Sequence, residues 1–257
     1  MRMFRFASLG SGSRGNATLV QSDSTTLLID CGYPVRELVR RTGLLGVDPA
    51  TIDAVLVTHE HGDHMRGVGA LARRFGMPVW MSHGTWRAAD YGKVERLQLF
   101  NSHDGPLALG NLEVMPVAVP HDAREPTQFV LRHAGLALGL LTDLGSHTPH
   151  LARCYAELDA LLLECNHDLR MLAEGPYPPS LQARVGGNYG HLNNGQAAHF
   201  LRSINHARLR HLVAAHLSEK NNRPELAHAA LCEAVPEIES RLTLLQQDMP
   251  SDWFELD

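Results

Sequence analysis

The sequence is poor in the features that most quickly betray a protein's class. Its longest apolar run, Ala134 to Leu144, is broken by glycines, ends in charge and is too short to cross a bilayer. The amino-terminal stretch Met1-Arg2-Met3-Phe4-Arg5-Phe6 passes straight into a Gly/Ser loop with no apolar signal core, so no secretion signal is expected and a cytoplasmic location follows by default. Only four cysteines occur (Cys31, Cys154, Cys165 and Cys232), widely spaced and without a C-x-x-C pair. In a cytosolic chain of this size they read as reduced and buried, which argues against a disulfide framework and against a thiolate zinc site. Basic residues are not in excess: 23 Lys and Arg face 28 Asp and Glu, for a net charge of −5. A sequence-tolerant nucleic-acid binder is usually basic, so the balance weighs against that partner unless bound divalent cations dominate the local field. Aromatic residues make up 6% of the chain, with three Trp, and no base-stacking platform is evident.

What remains is an ordinary globular composition, 44% hydrophobic and 20% charged over 257 residues. That length is within reach of one large domain. No Pro/Ser-rich linker, charge block or short-period repeat divides it, so a single domain over residues 1–257 is expected. Short β-branched or leucine-rich segments bounded by Gly, Pro, Asp or Asn predict strands, among them Phe4–Leu9, Thr26–Asp30, Ala54–Val57, Ala137–Thr142, Ala160–Glu164 and His211–Ala215. Helical patterns fall between them, including Val35–Thr42, Met65–Phe75, Asn194–Ile204 and Pro224–Ala234. Asn193 or Asn194 is expected to cap the third of these and Asn222 the last. Strands dominate early in each half and helices follow, which predicts two sheets packed face to face with helices outside.

One run stands apart. His59-Glu60-His61-Gly62-Asp63-His64 places three imidazoles and two carboxylates within six residues, directly after the apolar segment Ala54–Val57. A strand that ends in a sharp turn lets alternate side chains converge, and neutral imidazole with carboxylate suits Zn²⁺, Mn²⁺ or Fe²⁺. In a chain with 16 His a pair is often coincidence, but three His and one Asp in H-x-H-x-D-H order are hard to explain as core. Two cations a few ångströms apart need about seven ligand groups and a shared bridge. His121 follows Val117-Ala118-Val119-Pro120, Asp143 follows Leu140-Leu141-Thr142, and His216 follows Leu212-Val213-Ala214-Ala215, each repeating the strand-end context of His59.

Asp30, His59-x-His61-x-Asp63-His64, His121, Asp143 and His216 together resemble the ordered motifs of the metallo-β-lactamase fold superfamily, and the match runs along the whole chain. The resemblance implies an α/β fold, the αββα four-layer sandwich, with a dinuclear site at one edge. It implies that His59, His61 and His121 hold one metal, that Asp63, His64 and His216 hold a second, and that Asp143 bridges them. Asp30 would orient the histidine loop by hydrogen bonding rather than ligate. Zn or Mn is expected, with Fe possible, because such ligand sets accept several metals.

Other stretches narrow the resemblance. Ser8-Leu9-Gly10-Ser11-Gly12-Ser13-Arg14-Gly15-Asn16 contains a formal G-x-G-x-x-G, but the strand-like Ala17–Gln21 follows where a dinucleotide fold needs a helix, and the Lys of a P-loop is missing. The loop is either a tight turn or a border of the site in which Ser11, Ser13 and Asn16 touch a phosphate. Glu164-Cys165-Asn166-His167-Asp168, Gly175-Pro176-Tyr177-Pro178, Gly190-His191-Leu192-Asn193 and His216-Leu217-Ser218, with Asn221-Asn222 after it, are similar to the YycJ/WalJ family of this superfamily. That family implies 5′-to-3′ exonuclease activity on duplex DNA supported by Mn²⁺, with a hydroxide bridging the metals as nucleophile. Asp63 would hold and orient that hydroxide, and His191 would assist at a phosphate or leaving oxygen. His167 either does the same or packs, and Arg184 is either a phosphate clamp or a solvated surface residue. Arg36, Arg40 and Arg41, the pair Arg73-Arg74, and Arg202, His206, Arg208, Arg210 and His211 either track a DNA backbone or are solvated. A glyoxalase II-like thioesterase or small-molecule phosphodiesterase on the same scaffold stays open, as does a non-hydrolytic metal module. No membrane association is expected and no protein partner is inferable.

Overall fold

In the computed structural model the described residues are 3–256; Met1 and Arg2 of the stretch read for a signal, and Asp257, lie outside them. The first sheet is built mostly from the amino-terminal half: β1 (Phe4–Gly10), β2 (Ala17–Ser22), β3 (Thr25–Ile29), β4 (Ala54–Leu56), β5 (Val79–Ser82) and β6 (Leu97–Phe100). The second comprises β7 (Leu107–Leu109), β8 (Leu112–Ala118), β9 (Thr127–His133), β10 (Leu136–Leu141), β11 (Ala160–Glu164), β12 (His211–Ala215) and β13 (Leu242–Leu244), and β14 (Phe254–Glu255) returns to pair with β1. Each sheet has seven strands, and each opens as an antiparallel meander and continues as parallel strands joined through helices. The two halves repeat one plan, as the alternation of strand-rich and helix-rich stretches predicts.

Three apolar clusters make four layers. Residues of alternating parity face alternate sides of a strand, so Leu27, Ile29, Leu56, Leu138, Leu140, Leu162 and Val213 pack between the sheets. Their neighbours turn outward: Leu28 and Val55 lie under Leu38, Val68 and Leu71, and Leu161, Leu163 and Leu212 lie under Phe200, Leu201, Ala227 and Leu231. Strands buried on both faces must be apolar throughout, which is why β11 reads Ala-Leu-Leu-Leu before its terminal Glu164. Among the described residues no helix is long and apolar enough to cross a membrane.

Some local expectations are corrected. The helix expected over Met65–Phe75 is two pieces, Gly62–Met65 and Val68–Phe75. Gly67 separates them because its backbone lies against the Tyr33 carbonyl and the Cys31 sulfur, where no side chain fits, and its N–H donates to Cys31 O at 2.8 Å. Asn193 caps Asn194–Ser203 in a reciprocal box with Gln196. Asn222 does not cap the helix Pro224–Ala234; its amide is drawn inward to donate to Cys165 O at 2.7 Å and to exchange hydrogen bonds with Asn194.

Three of the basic residues weighed as DNA contacts are engaged within the fold. Arg208 pairs with Asp159 and Arg210 donates to Leu256 O, both beside the amino-terminal ends of β11 and β12. Arg41 is buried, donating to Leu9 O at 2.6 Å and Gln247 O at 2.9 Å and lying 4.2 Å over the Tyr33 ring. It is a tie between the helix Val35–Leu44 and the glycine-rich loop. Arg41→Met would strand two buried carbonyls and is expected to cost about 3 kcal/mol, lowering Tm by about 6–12 °C in a thermal melt. Arg36→Met, on the exposed face, is expected to stay within about 0.5 kcal/mol.

Candidate metal centre

The parallel strands deliver their carboxyl-terminal ends to one edge of the sandwich. Asp30 follows β3, His59 lies just beyond β4, His121 beyond β8, Asp143 beyond β10, His216 beyond β12, and Glu164 is the last residue of β11. Asp30, Asp143 and His216 share a backbone device: each has positive φ (63°, 54° and 55°). A left-handed residue stops a strand abruptly and turns its side chain in, at a cost of about 1–3 kcal/mol each for a non-glycine residue. His61, Asp63 and His64 reach the same edge from the turn and short helix Gly62–Met65 that follow His59.

Each imidazole is clamped by one nitrogen and presents the other. Thr58 Oγ1 donates to Asp30 Oδ2 and so accepts from His59 Nδ1, at 2.8 and 2.9 Å. His64 Nδ1 donates to Asp30 Oδ2 at 2.7 Å, His121 Nδ1 to Gly190 O at 3.0 Å, and His216 Nδ1 to Glu164 Oε1 at 2.9 Å. When these rings are neutral, their Nε2 atoms therefore carry the lone pairs. His61 is turned the other way, with Nε2 toward Asp122 at 3.7 Å and Nδ1 3.2 Å from His121 Nε2. The presented atoms form overlapping sets whose members lie within 4.8 Å of one another: His59, His61 and His121; His59, His64 and Asp143; Asp63, His64 and His216. His59 Nε2, His216 Nε2 and Asp143 Oδ2 are buried without a hydrogen-bond partner, although His64 Nε2 comes within 3.2 Å of the last without hydrogen-bond geometry. Buried polar atoms are almost always satisfied, and an imidazole–carboxylate donor set fits divalent cations.

The charges are strongly coupled. Burial lowers the His59 pKa well below its ordinary value, helped by the neighbouring His64 charge. Burial also opposes the charged forms of His64 and His216, but carboxylates outweigh it: Asp143, Asp63 and Asp30 raise His64 well above its usual range, and Asp143, Asp63 and Glu164 raise His216 to about 10. Asp143 is correspondingly held well below the normal carboxylate range against its burial by the His216 and His64 charges.

Glu164 is a functional residue that sequence reasoning left without a role. Its Oε1 accepts from His191 Nδ1 and His216 Nδ1, both at 2.9 Å, and from Asp143 N at 3.1 Å, while Oε2 accepts from Leu144 N and Leu192 N. Those bonds outweigh its burial and lower its pKa to about 2. With both oxygens spent on protein donors, Glu164 orders the site. Its signal was a strand-end position, within β11 where Asp143 lies beyond β10. Asp122 was also missed; it lies 3.5 Å from His121 Nε2 as well as near His61, and its other oxygen pairs with Arg184.

A cleft of about 360 Å³ opens over these atoms, lined in part by Ser13, Asp63, Asn166, Arg184, His191 and Ser218. Three residues expected to touch substrate lie elsewhere. The buried Ser11 hydroxyl accepts from His216 N at 2.9 Å. Asn16 Nδ2 reaches Asp63 Oδ2 at 3.3 Å and His64 Nε2 at 3.1 Å, so it props the cluster from beneath. His167 is buried, with neither ring nitrogen hydrogen-bonded, and burial lowers its pKa to about 4; it packs behind the site.

Two stacked mixed sheets with a His/Asp cluster at one edge define a metallohydrolase sandwich. The chain belongs to the metallo-β-lactamase superfamily, whose family model matches residues 10–163. It is 33% identical over 237 residues to the exodeoxyribonuclease YycJ of Bacillus anthracis, covering 90% of this chain and 89% of that protein. It is 32% identical over 233 residues to the exodeoxyribonuclease WalJ of Streptococcus pneumoniae, covering 89% and 87%. Among solved structures it is similar to the metallo-β-lactamase fold protein YhfI of Bacillus subtilis, with a TM-score of 0.72, 18% identity, and coverage of 98% of this chain and 99% of that one. It is a hydrolase of that superfamily.

Because His64 and His216 are held protonated in the metal-free protein, metal uptake must displace protons. Calorimetric titration of the apo-protein with Zn²⁺ at pH 7, in buffers of different ionisation enthalpy, is expected to report release of about two protons, with affinity falling as pH is lowered.

Proposed function

We propose that the chain, acting as one hydrolase domain over residues 1–257 in the cytoplasm, is a dinuclear phosphodiesterase that degrades duplex DNA from 5′ ends. The observation that carries this is that the set His59, His64 and Asp143 shares His59 with one further three-residue ligand set and His64 with another, in a chain a third identical to two exodeoxyribonucleases over most of its length. His59, His61 and His121 would hold one cation, Asp63, His64 and His216 the other, and Asp143 both. Asp30, Asp63, Asp143 and Glu164 also match the charge of two divalent cations. Bound Zn²⁺ or Mn²⁺ would supply a water of lowered pKa and offset charge developing on phosphorus.

The chain's own groups do the rest. Asp63 lines the cleft beside His64 and His216, where its carboxylate would orient the attacking water. His191 donates through Nδ1 to Glu164 at 2.9 Å, which leaves Nε2 to carry a proton to the leaving oxygen. Ser13 and Arg184 border the same cleft, in reach of a substrate phosphate.

Asp63→Ala is expected to abolish turnover while circular dichroism stays native; wild-type rates would end this mechanism. His191→Ala is expected to lower DNA hydrolysis about 100-fold or more and to spare a p-nitrophenyl phosphodiester, whose leaving group needs no proton. Incubation of the Mn²⁺-loaded protein with 5′-phosphorylated, end-labelled duplex should give products from the 5′ end. Faster turnover of S-lactoylglutathione would instead identify a thioesterase.

A further inference from the structure

At the cleft two separate segments bring an aromatic ring beside an unpaired cation, and neither is used by the chemistry above. Tyr177 lines the cleft, and the Lys220 ammonium lies 5.7 Å from the centroid of its ring, near the outer limit of a cation–π contact. Of the chain's two lysines, Lys93 pairs with Glu95 at 2.8 Å, whereas Lys220 has no carboxylate partner among the described residues. The neighbouring rim cations are already engaged: Arg14 with Glu219 and Asp248, and Arg184 with Asp122.

The ring is also held at low entropic cost. Tyr177 sits between Pro176 and Pro178, with Pro179 opening the helix Pro179–Val185. Each proline fixes its own φ and restricts the residue before it. The Tyr177 segment packs closely on the Lys220 loop, since a side chain on Gly175 would run into Asn221 Oδ1. The helix Pro179–Val185 buries none of its residues, although Leu181, Arg184 and Val185 line the cleft. A rigid aromatic face beside an exposed point charge, next to a phosphodiester site, has the chemistry of a nucleotide subsite. Stacking reads any base, because every base has a π face, and an ammonium meets phosphate without fixed geometry.

Building on the nuclease reading, we infer that Tyr177 and Lys220 form a terminal-nucleotide subsite. The Tyr177 ring stacks on the base at the end of the strand, and Lys220 contacts the adjoining phosphate. The subsite is tolerant of sequence and selects nucleic-acid ends over small phosphodiesters.

The test compares kcat/KM of the Mn²⁺-loaded wild type and variants on two end-labelled duplexes, one with a normal 5′-terminal nucleotide and one with an abasic terminal nucleotide. Tyr177→Ala is expected to lose about five- to a hundredfold on the base-bearing end and to lose no more on the abasic end, where wild type is already slow. Tyr177→Phe should restore the base-bearing rate. Lys220→Gln should reduce the salt dependence of kcat/KM by about one unit of log–log slope. If the wild type cleaves DNA but Tyr177→Ala handles both ends at wild-type rates, or loses equally on both, the subsite assignment falls and the nuclease reading stands. A wild type inert on both duplexes overturns the two together.

Discussion

The whole arrangement turns on a carboxylate that has no business being buried. Asp143 lies at the edge of the sandwich almost entirely out of water, with one oxygen unsatisfied. A naked charge in such a place would take up a proton. It stays ionised because His64 and His216 stand beside it as cations, and those imidazoles are themselves charged because Asp143 itself, with Asp30, Asp63 and Glu164, crowds them. None of these groups could be placed alone. The six strand ends that carry or precede them must arrive at one edge together, so the repeated meander-then-parallel plan of the sheets is what makes the electrostatics possible.

That dependence explains which parts of the molecule were legible in sequence. His59, His61, Asp63 and His64 announce themselves by spacing, and His121, Asp143 and His216 by following apolar strands. The layer order follows from fully apolar strands alternating with helical patterns. Glu164 was harder to see because it is the last residue within its strand rather than the first beyond it, and its work is to accept five hydrogen bonds rather than to face the cleft. Asn222 and Arg41 misled because capping propensity and surface charge are local signals, while their roles are set by partners far away: Cys165 and Asn194 for the one, Leu9 and Gln247 for the other. Ser11 and Asn16 read as substrate contacts because a Ser/Gly loop invites that, yet contacts with His216, Asp63 and His64 consume their polar atoms. The edge strands β7 and β14, three and two residues long, leave too little pattern to be read.

The net charge of −5 also changes meaning once it is placed in space. Several of the acidic groups are the buried carboxylates of the cluster, which cations would offset, and others neutralise rim arginines. Global charge is therefore a poor guide to what the cleft can accept.

The left-handed backbone at Asp30, Asp143 and His216 has an evolutionary corollary. Each of these positions would be more comfortable as glycine, so the native residues hold the fold above its conformational minimum for the sake of chemistry. A descendant released from hydrolysis would have every thermodynamic incentive to relax there first. Glycine appearing at those three turns, with the surrounding strands intact, would be the fossil mark of a sandwich that had kept its shape and abandoned its reaction.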